Sequence, residues 1–183
     1  MKMSNTLNTV QKFFKAGKIL STIGFVASIV GAAGCIIGTA VLKISGIGSK
    51  AADMVMNTEG MTYETAFASC IAGIIICAGS IAVSWLSRKY YDDELDAGTP
   101  FTFEGAKEIK RLGIVAIAVP LGAQIVSSIV FEIMSAVLDA SGTNQMETEV
   151  SLTLGIIYIA LSFVFRYGAE LREGISDEAN VDK

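Results

Sequence analysis

Residues 19–42, ILSTIGFVASIVGAAGCIIGTAVL, decide the fold: 24 consecutive positions carry no Lys, Arg, Asp or Glu. Wound as a helix at about 1.5 Å per residue they would measure roughly 36 Å, against a bilayer hydrocarbon core of about 30 Å. Three more windows of the same kind follow. Residues 65–87 give 23 uncharged positions, 112–131 give 20 and 150–165 give 16. The fourth reaches 169 when Arg166 extends its guanidinium to the headgroup level and leaves its stem among the lipid tails. Over the 183-residue chain, 52% of residues are hydrophobic and 17% charged, too apolar for a small soluble globule to cover its own surface. The reading is an all-α integral membrane fold, an antiparallel four-transmembrane-helix bundle with spans at about 19–42, 65–87, 112–131 and 150–169. A cytoplasmic amphipathic arm (1–18) precedes the spans, and a flexible cytoplasmic tail (174–183) follows them.

Orientation comes from the basic residues in the connections. The arm holds Lys2, Lys12, Lys15 and Lys18. The central connection holds Arg88, Lys89, Lys107, Lys110 and Arg111, and the tail Arg166, Arg172 and Lys183. Only Lys43 and Lys50 fall on the other side, so twelve basic residues oppose two and both termini are expected in the cytoplasm. The arm has two readings. It lies flat in the interface with Leu7, Val10, Phe13 and Phe14 toward the lipid, or it simply extends the first helix. A lipoprotein-type cleavage before Cys35 competes with a retained first span. The apolar run continues past it through Ile36, Ile37, Val41 and Leu42, which favours retention.

Several functions are disfavoured by composition. A net charge of -4 argues against a nucleic-acid partner, which would need a basic face to replace counterions. The chain has no histidine, and with it go the commonest general base, the commonest zinc ligand and every Ser-His or Cys-His pair. No enzymatic activity, cofactor or metal is expected. Cys35, Cys70 and Cys77 are odd in number, lie within spans and lack metal-ligand spacing, so they read as small packing residues.

Within the spans, small and polar residues mark contact faces, because lipid gives helices little hydrophobic reason to associate. Gly24, Gly31, Gly34 and Gly38 form one such face on the first span; Ser69, Gly73, Cys77, Ser80, Ser84 and Ser87 form another on the second. On the third, Gln124, Ser128, Glu132, Ser135 and Asp139 recur at helical spacing below Pro120, which frees the carbonyl of Ala116. On the fourth, Ser151, Gly155, Tyr158, Ser162 and Arg166 make a matching stripe. The candidate interhelical or cavity residues are therefore Gln124, Ser128, Glu132, Tyr158, Ser162 and Arg166. Tyr158 is expected to bond Gln124 or the Ala116 carbonyl. Between the second and third spans, Asp92, Asp93, Glu94 and Asp96 read as a solvated turn, after which Thr99 or Thr102 caps a new helix.

Two motifs carry a family resemblance: Thr99-Pro100-Phe101-Thr102 leading to Ile109-Lys110-Arg111-Leu112-Gly113, and Phe165-Arg166-Tyr167-Gly168-Ala169-Glu170-Leu171-Arg172-Glu173. With four spans in a chain of this length, they resemble the bacterial domain-of-unknown-function 2975 family. The resemblance implies a multi-pass protein of the bacterial plasma (inner) membrane, often encoded beside a small helix-turn-helix regulator, and it brings no catalytic residues. The expected function is that of a non-enzymatic accessory or regulatory protein acting through protein-protein contacts. Its partners would be the lipid bilayer, a cytoplasmic regulator and further copies of itself. The alternative is a small transporter, channel or immunity-type protein using the polar stripes of the third and fourth spans.

Overall fold

The computed structural model describes the backbone of residues 2–45, 63–98, 101–138 and 149–181, and the side chains of 11–44, 63–98, 101–138 and 153–174. All regular structure among the described residues is helical: α1 (Lys2–Ser45), α2 (Tyr63–Ala97), α3 (Phe103–Leu138) and α4 (Glu149–Val181). Each contains a segment long and apolar enough to cross a membrane. The Thr99-Pro100 step, Asp139 and the side chain of Ser151 lie outside the described residues.

The helices outrun the spans read from the sequence. They hold 44, 35, 36 and 33 residues, so at about 1.5 Å per residue each is roughly 50 Å or longer. Nothing between Lys2 and Lys18 breaks a helix except Gly17, and residues of the arm and the first uncharged window belong to one helix without interruption. The helix of α4 likewise continues through Val181, well into the segment expected as a tail.

The acidic cluster after Tyr91 is a correction. The sequence reading makes it a solvated turn, yet α2 runs through it to Ala97 and buries Glu94. The helix stops one residue later, where Gly98 adopts φ 72° and its N–H donates to the Glu94 carbonyl at 3.2 Å. A left-handed residue just past the last turn is the usual glycine stop. Of the two expected caps for α3, Thr102 serves: its Oγ1 accepts the Gly105 N–H at 2.9 Å.

The chain divides into two compact units. The first gathers the start of α1, the end of α2, the start of α3 and all of α4. Its core is Phe14, Tyr90, Tyr91, Ile109 and Leu112, with Leu86, Leu95, Tyr158, Leu161 and Phe165 packed on it. Phe14 sits at the centre, its ring centroid 6.3 Å from Tyr90, 6.0 Å from Tyr91 and 6.3 Å from Phe165. α3 and α4 approach closely and antiparallel at paired glycines. A Cβ on Gly113 would lie 3.0 Å from the Gly155 carbonyl oxygen, and one on Gly155 the same distance from that of Gly113.

The second unit holds the later half of α1, the first half of α2 and the later half of α3. Here α1 and α2 run antiparallel with sulfur set against glycine. The Cys77 and Cys70 Sγ atoms lie 3.2 Å from where Cβ atoms of Gly31 and Gly38 would stand, and Cys35 Sγ lies 2.9 Å from that of Gly73. The expected packing role of the cysteines thus takes a definite form, each thiol filling the hollow over a glycine. Gly34, placed on the same face by spacing, has nothing within 4 Å. On the other side of α2, Ala68 and Ala72 are fully buried with Phe131 and Met134 of α3. Tyr63 ties the beginning of α2 to the end of α1, donating to the Leu42 carbonyl at 2.8 Å.

Candidate functional site

The charged ends of the helices build the most elaborate polar arrangement among the described residues, and all of it belongs to the first unit. Gly17 brings α1 against the ring of Tyr91, 2.6 Å from the position a Cβ would take, so only a hydrogen fits there. One residue on, Lys18 Nζ pairs with Asp92 at 2.5 Å. The Tyr91 hydroxyl lies 3.0 Å from that of Tyr158 on α4, and Tyr158 has its partner there rather than at Gln124 or the Ala116 carbonyl. The expected pairing fails because α2 continues helically past Lys89 and delivers a second tyrosine to the α4 stripe, which the sequence reading had stopped at the membrane boundary.

One turn beyond Tyr90, Glu94 is 5% exposed, and its carboxylate presses on Gly105 in the first turn of α3. A side chain at 105 would collide with it. Glu94 Oε2 and the Tyr90 hydroxyl are buried without a hydrogen-bond partner among the described residues. Burial, helped by the nearby charges of Glu108 and Asp93, pushes the Glu94 carboxyl up to about 7. The Tyr90 and Tyr91 hydroxyls are also raised, chiefly by burial. Lys89, Asp93, Glu108 and Arg111 surround a small cavity of about 70 Å³ beside Tyr90. A buried carboxyl near neutrality is a proton-responsive group, and here it stands where α2 meets α3.

The six candidates from the sequence sort between the units. Gln124 and Ser128 are half-buried and Glu132 is exposed, all on the part of α3 in the second unit. The fully buried hydroxyl of that stretch is the neighbouring Ser127, which spacing alone did not single out. Tyr158, Ser162 and Arg166 belong to the first unit. Ser162 is buried and its Oγ donates to the Ile159 carbonyl at 2.6 Å, a bond within its own helix. Arg166 Nε pairs with Glu170 at 3.0 Å on the exposed face of α4. Ser162 and Arg166 come together along one groove of about 240 Å³ between α4 and the first turns of α3.

Sequence reasoning missed Tyr91 as the partner of Tyr158, and it missed Glu94. Gly105, a glycine placed in the first turn of a helix, was the available sign that something large approaches there.

The fold and this site define a class: a chain whose described residues are helical, with four helices long and apolar enough to cross a membrane among them, and with charged helix ends in the first unit packed around a core of aromatic rings. Compared with protein-family models, curated proteins and solved structures, the chain finds no match.

Proposed function

We propose that the chain is a multi-pass protein of the bacterial plasma membrane, with both termini cytoplasmic, that acts without enzymatic chemistry as an accessory or regulatory protein through contacts made by its cytoplasmic ends. One observation carries this reading. A core of about 30 Å needs about 20 helical residues, yet every helix is at least 33 residues long. Most of that surplus falls at the Lys/Arg-rich end and within the first unit, although α3 also runs on through residues 132–138 at its other end, in the second unit. Helix of that kind, locked by Phe14, Tyr90 and Tyr91, is a fixed protein surface rather than a set of loops. Exposed apolar residues support insertion. Ile19, Leu20, Ile23, Val26, Ile29 and Val30 face outward on α1, and Ile125, Val126, Ile129, Ile133 and Val137 on α3. In water each such patch would cost about 25 cal/mol per Å². The family resemblance agrees with both the compartment and a regulator as partner.

Two measurements test the reading. In a cysteine-free background, single cysteines at Lys50 and Asn144 are expected to label only from outside the cell, and labelling from the cytoplasm overturns the orientation. The protein purified in mild detergent is expected to carry a stoichiometric cytoplasmic partner. The alternative, a small transporter, channel or immunity-type protein, predicts instead a clean homo-oligomer that conducts ions in liposomes.

A further inference from the structure

We infer that the groove between the first turns of α3 and the end of α4 is a binding site for the headgroup of an anionic phospholipid. The inference rests on the membrane reading above. Three cationic side chains line the groove, Lys107 and Lys110 from α3 and Arg166 from α4. Glu170 pairs with the Nε of Arg166 at 3.0 Å, and the NH2 groups of a guanidinium fork can bind a second anion. The antiparallel pairing of the two helices stacks these charges along the groove rather than scattering them.

The remaining lining distinguishes a lipid from a dissolved anion. Phe103 and Phe163 form walls that are 43% and 61% exposed, and Ala106 and Ser162 make the floor. The Ser162 hydroxyl is turned back to its own helix, so the floor is effectively apolar. Toward the uncharged windows the groove is followed by exposed apolar residues, Ile114 on α3 and Ile156 on α4. The charges sit at headgroup level by sequence: Lys110 precedes the uncharged window opening at Leu112, and Arg166 follows the one closing at Phe165. A phosphate between three cations, with its acyl chains running past Phe163 toward Ile114 and Ile156, satisfies both halves of the groove. A volume of about 240 Å³ suits a phosphodiester and its glycerol. Basic pockets between helices on the cytoplasmic side are suited to such headgroups on general electrostatic grounds.

The full chain is placed in vesicles of dioleoylphosphatidylcholine containing a minor share of dioleoylphosphatidylglycerol, washed with alkaline carbonate, extracted gently and weighed by native mass spectrometry with its retained lipids. Retained phosphatidylglycerol is expected to be enriched about fivefold or more over its share in the vesicle, the effect of roughly one surface cation's attraction. The variant Lys107→Gln/Lys110→Gln/Arg166→Gln is expected to lose the enrichment. Lys15→Gln/Arg88→Gln/Arg172→Gln, with the same change in net charge outside the groove, is expected to keep it. Single Lys110→Gln and Arg166→Gln variants, checked for helicity, are expected to fall between and serve if the triple variant does not fold. Equal loss in the control variant, absence of enrichment in the parent, or displacement of the lipid by millimolar inorganic phosphate overturns the proposal. A chain that washes off in carbonate overturns the membrane reading as well, whereas one that stays without enrichment overturns the groove alone.

Discussion

Tyr91 and Glu94 show how much single side chains decide at the junction of the helices. The Tyr91–Tyr158 hydroxyl pair joins α2 to α4, and interhelical hydrogen bonds in membrane proteins average about 0.6 kcal/mol. Tyr91→Phe and Tyr158→Phe, measured singly and together as thermal stability in detergent, are expected to show a coupling of about that size. Strict additivity would mean the hydroxyls do not meet. For Glu94 the sign follows from its raised pKa. The folded state holds the proton more tightly than the unfolded chain, so the stabilisation is fully present below the ordinary value of 4.5 and is lost as pH rises through about 7. Burial drives it in that direction, helped by Glu108 and Asp93, while Lys89, Arg111 and Tyr90 line the adjoining cavity. Melting between pH 5 and pH 8.5 is expected to fall for the parent and to stay flatter for Glu94→Gln.

Among the elements, α2 is the most enclosed: Trp85 is its exposed large hydrophobic residue, whereas α1, α3 and α4 each show several. Its two faces differ, with cysteines and glycines against α1 and small alanines against Phe131 and Met134 of α3. The sulfur-to-glycine fit makes a reciprocal prediction. Gly73→Ala is expected to lower the melting temperature, since the new methyl would stand 2.9 Å from Cys35 Sγ, an overpacking that costs about 1–3 kcal/mol. Adding Cys35→Ala is expected to restore most of the loss, and failure of that rescue would exclude the contact. The four long apolar helices, and the places of Gly31, Gly38, Gly73 and Cys77 on the face shared by α1 and α2, were legible in the sequence because uncharged runs and small-residue periodicity are local properties. The true lengths of the helices were not. Charge marks where an uncharged window ends, but a helix continues past that point wherever another helix waits to pack against it, as Phe14 does on Tyr90 and Glu94 on Gly105. Tyr158 was singled out correctly as a residue with a partner, and its partner was misread because the start of α4 was matched to α3 by stripe alone.

At the scale of the whole chain, Trp85 offers a test of placement, because it is the single tryptophan and lies just inside Arg88. Indoles favour the headgroup boundary. Its fluorescence is expected to be quenched more by lipids brominated near the glycerol than by those brominated near the chain ends, and the opposite order would contradict the boundary drawn at Ser87. The sulfur-to-glycine seam also has a consequence for biosynthesis. Gly31, Cys35, Gly38, Cys70, Gly73 and Cys77 all reside in α1 and α2, and Tyr63 closes on Leu42 within the same pair. Both halves of the seam are therefore synthesised before α3 begins at Phe103. The hairpin can zip before α3 has left the ribosome, and the later helices are added to a template rather than to a bare rod.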